Sequence, residues 1–154
     1  MPNYVREAAV DRLVTVLEGI TSGAGWATTI APTVRKVRQD AFSLAVFPQI
    51  LVVPRSETLT ERAVAGNTLL MDSTLTVQLD CWLESWDMST DISKMIHDVI
   101  KAVADDPTLN GTIRDHRFTG TQTFIMEDEQ PTCGVSISLD LIYGFIETDP
   151  STLA

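Results

Sequence analysis

The sequence lacks most of the motifs that identify enzymes and membrane proteins. It has no GxGxxG, GxxxxGK[ST] or GxSxG pattern, so no common nucleotide-binding loop or nucleophile elbow is present. No segment reaches the roughly 18 consecutive apolar residues that a membrane-spanning helix needs. Charged side chains at Arg6, Glu7, Asp11 and Arg12 interrupt the first apolar residues, which predicts that there is no signal peptide. We therefore expect a protein that is made in the cytosol and has no membrane partner.

Cysteine and histidine are also scarce, with two of each. Cys81 and Cys133 have no CxxC spacing and no neighbouring ligand residue, so we predict two reduced thiols. His97 is predicted to lie on a solvated helix face, because a catalytic histidine needs a nucleophile and an orienting acid nearby. The carboxylate clusters at 105–106 and 127–129 lack the alternating ligands and the glycine of a calcium loop. The sequence thus predicts no metal, no cofactor and no catalytic residue.

Charge is unevenly distributed along the 154 residues, whose formal net charge is −10. Residues 1–70 contain seven Lys or Arg and six Asp or Glu, a net charge of +1. Residues 71–154 contain four Lys or Arg and fifteen Asp or Glu, a net charge of −11. Because such a chain repels phosphate, we do not expect it to recognise DNA sequence. The carboxylates either keep the domain soluble or form a surface that faces DNA without binding it.

Apolar residues at helical spacing predict two amphipathic helices in a single domain, residues 1–154. The first runs from Tyr4 to about Ile20, and the second starts at a capping Ser89 or Thr90 and ends before Pro107. Alternating or β-branched segments predict strands at 33–38, 48–54, 69–84, 113–118, 121–126 and 134–146. The predicted fold class is α+β, a mixed and mainly antiparallel sheet with the two helices packed on one face.

Two polar segments have no place in this core. Residues 55–68 lie between two predicted strands, and we interpret them as a mobile arm or a long hairpin. The tail, residues 147–154, is predicted to fray.

For some residues of the predicted sheet the sequence does not indicate which neighbours they contact. The last strand has one apolar face, whereas its other face begins polar and becomes apolar at Ile142 and Ile146. With Trp82 on the neighbouring strand, these residues need cover, either from within the chain or from another subunit. Asp80 and Asp140 either approach each other, with shifted pKa values, or point to solvent.

The basic cluster Arg35, Lys36 and Arg38 lies in the first predicted strand. It fits either an edge strand protected against aggregation or a docking patch for an acidic partner.

Four segments occur in a familiar order: FPQILVVP (47–54), LTVQLDCWLES (75–85), IKAVADDPTLNGTI (100–113) and LDLIYGFIETDP (139–150). Over nearly the whole chain, this order resembles the tail terminator (tail completion) proteins of long-tailed bacteriophages, of the lambda minor tail protein U type. The resemblance implies a virion protein, not an enzyme, that forms a hexameric ring on the head-proximal end of the tail tube. Such a ring stops tube growth and offers a surface to the head–tail connector, while DNA passes through its lumen without specific binding.

If the resemblance holds, the chain's partners are itself, the tail tube protein and the connector. The residues that we predict at these interfaces are Arg35, Lys36, Arg38, Arg55, Arg62, Trp82, Ile142 and Ile146. Three other classes remain open: another virion ring protein, such as a connector or a tube subunit; a small cytosolic enzyme that uses Asp80, Asp140 or His97; and a binding or scaffold domain of a host.

Overall fold

The computed structural model describes residues 4–23, 25–28, 30–36, 47–66, 68–126, 132–146 and 149–153. Its elements, in chain order, are α1 (Val5–Glu18), β1 (Thr33–Lys36), β2 (Gln49–Ala65), β3 (Thr68–Glu84), α2 (Met88–Asp105), β4 (Asp115–Met126), β5 (Thr132–Ile146) and β6 (Asp149–Leu153). This composition confirms the predicted α+β class.

The strands form one sheet in the order β1-β2-β3-β5-β4, and β6 pairs with the end of β5. Of the described strands only β1 and β2 are parallel, so the sheet is mixed and mainly antiparallel, as predicted. β2 and β3 form a long hairpin, in which Ala65 pairs with Thr68 at the end that we call the tip. Gln49 pairs with Trp82 at the opposite end, which we call the base. Of the two interpretations of residues 55–68, the structure therefore contains the long hairpin.

The core lies between the helices and one face of the sheet, which we call the helix face. Alternate residues of β3 and β5, such as Leu79 and Ile137, are fully buried there, as period-two patterning predicts. Leu13 of α1 and Met95 and Val99 of α2 are fully buried against them. The other face of the sheet, the open face, carries the residues that alternate with these.

The start of α2 differs from the prediction. Asp87 takes the N-cap position, and both Ser89 and Thr90 lie inside the helix. Ser85 organises this end instead, because its Oγ accepts a 3.0 Å hydrogen bond from the Asp87 backbone N–H and donates one to the Asp91 carboxylate. Asp91 lies in the first turn, where the helix dipole stabilises its negative charge.

Two strand predictions were also wrong in detail. The two strands predicted within 113–126 are one strand, β4, with a bulge between Phe118 and Gly120. The tail predicted to fray contains β6, in which Leu153 pairs with Phe145 and Asp149 pairs with Ile146. A short polar segment gives little pattern for a strand, and this strand forms by adding to an existing sheet edge.

Candidate interaction surfaces

The predicted basic cluster does not form one patch. Lys36 lies on the helix face, where it makes ion pairs with Glu7 and Asp11 of α1. Burial acts to lower the pKa of Lys36, but the bonds to the two carboxylates outweigh it and raise the pKa. Arg35 pairs with Leu51 and faces the open side, with no ion pair among the described residues. Arg38, the third predicted interface residue, lies outside the described residues.

Trp82 is covered from within its own sheet. On the open face it packs edge-on against Phe124 of β4, with ring centroids 4.5 Å apart. Gly134 of β5 pairs with both residues and lies between them. A Cβ atom at Gly134 would come within 2.3 Å of the Phe124 ring and 2.4 Å of the Cys81 carbonyl oxygen. The glycine therefore makes room for two aromatic side chains to meet across a strand.

Ile142 and Ile146 lie on the open face, as predicted, and both are half-buried. Their pairing partners on β3 are Thr74 and Leu70, close to the hairpin tip. Trp82 is eight residues further along β3, about 26 Å away at roughly 3.3 Å per residue. The structure thus brings the two isoleucines to the hairpin but places Trp82 at the base, so the three residues do not form a single patch.

The two arginines of the hairpin both sit at irregular points of β2. Register shifts occur between Pro54 and Ser56 and between Glu61 and Ala63, which leaves Arg55 and Arg62 as the inserted residues. The Arg55 guanidinium donates a 3.0 Å hydrogen bond from Nε to Gln78.

The Arg62 guanidinium lies 3.6 Å from the Asp72 carboxylate. Asp72 also pairs with Arg114, so two guanidinium groups share a single carboxylate near the hairpin tip.

Asp80 and Asp140 are on the open face but do not approach each other. Asp80 is opposite Ser136, whereas Asp140 is opposite Thr76, four residues further along β3. This offset corresponds to about 13 Å at roughly 3.3 Å per residue. Each carboxylate is satisfied locally, by Ser136 and Gln78 or by Thr76 and Arg117. The paired-carboxylate interpretation is therefore wrong.

The described open face is balanced in charge. Its acidic side chains are Asp72, Asp80, Glu84, Asp115 and Asp140, and the basic side chains on it or reaching it are Arg35, Arg55, Arg62, Arg114 and Arg117. The helical segment is different, because residues 87–106 carry five acidic and two basic side chains. Among the described residues, the arginines of the first half of the sequence balance the acidic side chains of the open face, whereas residues 87–106 keep a net negative charge.

Sequence reasoning missed a polar cluster on the helix face of the hairpin. Glu57 accepts hydrogen bonds from Tyr143 and Ser73, and its second oxygen lies 3.3 Å from Nε of Arg6 in α1. Burial, and then the bond to Glu57, raise the pKa of Tyr143. Glu57 lies in the polar segment 55–68, where no periodic pattern indicates a partner for it.

A second missed residue is Asp98, a buried carboxylate in the apolar stripe of α2. It accepts hydrogen bonds from the backbone N–H groups of Ala27 and Thr28, at 2.8 and 2.7 Å, and lies 3.0 Å from Nδ1 of His97. Burial acts to raise the pKa of Asp98, but these bonds outweigh it and the pKa is lowered. Asp98 therefore holds the loop that follows α1 against α2.

The sheet has long unpaired edges on both sides among the described residues. β1 pairs with the outer edge of β2 only as far as Val52, so no described strand pairs with that edge from Val53 to Ala65. On the opposite side, β4 is the last strand of the sheet. From Phe118 to Met126 it contains no charged residue and no proline, two of the features that usually protect an edge from pairing, although a bulge lies between Phe118 and Gly120.

Little in the described residues suggests chemistry. No group of three or more His, Cys, Asp or Glu side chains among them is arranged to hold a metal ion. Cys81 and Cys133 are free and buried, as predicted, and burial raises the pKa of both thiols. Within these same ranges, neither helix is long and apolar enough to cross a membrane.

Comparison with known proteins does not assign the chain to a family. No protein-family model matches it, and no curated protein sequence does so either.

Proposed function

We propose that this protein is a structural subunit of a bacteriophage virion, which forms a ring on the head-proximal end of the tail tube. The ring stops polymerisation of the tube protein and provides the docking surface for the head–tail connector. This function follows from the resemblance to tail terminator proteins, and the fold class is compatible with it. In this role the protein acts by assembly and not by catalysis.

The observation that best supports self-assembly is the pair of sheet edges that have no partner strand among the described residues. A subunit with different unpaired edges on its two sides can bind copies of itself heterologously, and a heterologous contact closes into a ring when its rotation returns to the start. Beyond its bulge at Phe118–Gly120, the edge of β4 carries no charged residue and no proline up to Met126, so it is the edge that we expect a neighbour to cover.

The first experiment is electron microscopy of the purified protein at high concentration, where we expect closed rings. A variant with Thr121→Lys and Thr123→Lys, both on the exposed edge of β4, should stay monomeric because charge on an edge strand opposes pairing. Ser93→Lys, on the exposed face of α2, is the matched control and should still form rings. Open filaments instead of rings would favour a tube subunit.

The second experiment is an assembly reaction that lacks the protein. Tails should then grow beyond their normal length and fail to join heads, and adding the wild-type chain should restore both. Tails of normal length that join heads without the protein would overturn the proposed function.

A further inference from the structure

Four rows of paired residues cross the whole sheet near its base, from β1 to β4. The first row consists of Thr33, Gln49, Trp82, Gly134 and Phe124. The next three rows follow in register towards the tip, and the last begins at Lys36 and ends at Thr121. Because β1 and β4 are the outermost strands, each row ends at two sheet edges that lie at the same level.

The outer edge of β1 presents backbone groups that can bind another strand. The Thr33 N–H donates a 2.9 Å hydrogen bond to the Pro48 carbonyl oxygen, on the side of β2. Successive residues of a strand point their backbone groups to alternate edges, so those of Val34 point away from β2. No described strand pairs with this edge, which makes it a template for a strand from another molecule.

The outer edge of β2, which continues this side of the sheet towards the tip, is less suitable. Its ladder is interrupted by two register shifts, after Pro54 and after Glu61. Proline, charged side chains and bulges all keep an edge from pairing. β1 is short, but its register is regular, and Lys36 is engaged with α1. The remaining charge on this edge, Arg35, limits pairing to a strand that offers its guanidinium an acceptor.

The directions of the strands decide how two copies can pair. β1 and β2 run parallel, and each step from β2 to β3, β5 and β4 reverses the direction. β4 is therefore antiparallel to β1 within one chain. Rotation about an axis along the strands preserves these directions, so β4 of one copy is antiparallel to β1 of the next.

Extending the four rows from one copy to the next places compatible side chains opposite each other. On the helix face, Thr123 meets Val34, a pair of β-branched side chains. On the open face, the Gln122 amide oxygen can accept a hydrogen bond from the Arg35 guanidinium. Residues 121–124 carry no charge, so no like charges face each other in these rows.

We propose that β4 of one copy pairs with β1 of a second copy, so that an antiparallel seam joins the sheets of neighbouring subunits. A second copy is the occupant because its β1 edge lies at the level of the β4 edge, runs antiparallel to it and matches its side chains row by row. The contact joins two different surfaces, so it is heterologous, and the copies meet side by side as in a ring. This inference rests on the proposed function only in requiring that copies assemble.

The first test is disulfide cross-linking of the variant Arg35→Cys with Gln122→Cys. Opposite residues of paired strands are close enough for a disulfide, so mild oxidation should produce a ladder of covalent oligomers. Within one chain the two positions are four strand spacings apart, about 19 Å at roughly 4.8 Å per spacing, which prevents an internal disulfide. The natural Cys81 and Cys133 are buried and should not take part. Arg35→Cys with Thr121→Cys is the matched control, because Thr121 points to the other face and should not cross-link.

The second test is a compensating pair of substitutions, measured by sedimentation velocity. Gln122→Lys should weaken self-association about fivefold, because it places a like charge opposite Arg35. Adding Arg35→Glu should restore most of the lost affinity. Arg55→Glu is the matched control, since Arg55 lies at the outer edge of β2 and should not alter association. Thermal unfolding of every variant verifies that the fold is intact.

Four results would overturn the inference: no ladder from Arg35→Cys with Gln122→Cys, equal cross-linking in the control pair, no recovery when Arg35→Glu is added, or a wild type that stays monomeric at its highest soluble concentration. Rings that form without this cross-link would overturn the contact and leave the proposed function standing. Normal tails in the absence of the protein would overturn the function, while the ladder would still establish the contact.

Discussion

The inner and outer halves of the β2–β3 hairpin form one ladder of hydrogen bonds but differ in what covers them. In the inner half, the helix face is fully buried, as at Val52 and Leu79. In the outer half, residues 55–64 of β2 are exposed, and the polar cluster around Glu57 takes the place of an apolar core. The change occurs at the bulge after Pro54. A single strand therefore serves as core at one end and as surface at the other.

The largest expected loss of stability comes from a substitution in the inner half of the hairpin. Leu79→Ala should lower the free energy of unfolding by about 2–5 kcal/mol, because Leu79 is fully buried under the helices. Leu59→Ala, in the outer half, should change it by less than about 0.5 kcal/mol, since Leu59 is 54% exposed. Urea denaturation of the two variants measures both values. Similar losses at the two positions would show that the halves do not differ in this way.

A smaller effect is expected at Asp98, which holds the loop that follows α1 against α2. Asp98→Ala should cost about 2–3 kcal/mol at pH 7, because it leaves two backbone N–H groups without their acceptor. Since the pKa of Asp98 is lowered by folding, its contribution is complete above about pH 4 and is lost as the pH falls through the folded-state pKa. Denaturation at pH 7 and pH 2 should therefore show a wide gap between wild type and variant that narrows in acid. A gap that widens in acid would contradict this role.

The polar cluster should matter less, and only for the outer half. Tyr143→Phe removes one donor to Glu57 and should cost about 1 kcal/mol. Amide hydrogen exchange should become faster in residues 56–64 and stay unchanged in the inner half of β3. Faster exchange across the whole sheet would mean that the two halves open together.

The smallest effect is expected at Glu84, the exposed last residue of β3. Glu84→Gln should alter the free energy of unfolding by less than about 0.5 kcal/mol, because Glu84 is exposed and has no ion pair among the described residues. Chemical denaturation provides the value, and a loss above 1 kcal/mol would place Glu84 among the residues that support the fold.

The pattern of apolar residues in the sequence was sufficient to predict the buried face of the inner half. The alternation of β3 and β5 and the apolar stripe of α2 gave the correct faces, because burial on one side imposes a period on the sequence. The outer half has no such period, since residues 55–64 of β2 are exposed, and a hairpin is only one of the two interpretations that its sequence allows. Sequence reasoning missed the roles of Asp98 and Glu57 because their partners are distant in sequence. Those of Asp98 include backbone groups, which no pattern of side chains reveals.

Charge shows the same limit of sequence reasoning. The acidic second half of the sequence suggested an acidic surface towards DNA. In the structure, however, the described open face is balanced, and residues 87–106 of the α2 segment carry an excess of carboxylates. Of the two sides that the structure describes, the helical side is therefore the more acidic one. Linear charge counts do not resolve faces, because neighbouring residues of a strand point in opposite directions.

The glycine between Trp82 and Phe124 has a consequence for how freely this sequence can vary. A methyl group at position 134 would meet the Cys81 carbonyl oxygen at 2.4 Å, and a backbone atom cannot rotate away as a side chain can. In a library randomised at this codon and selected for folded protein, glycine should dominate the survivors. The neighbouring exposed positions of β4 should accept many residues. Position 134 should therefore vary little, on a surface that otherwise tolerates substitution.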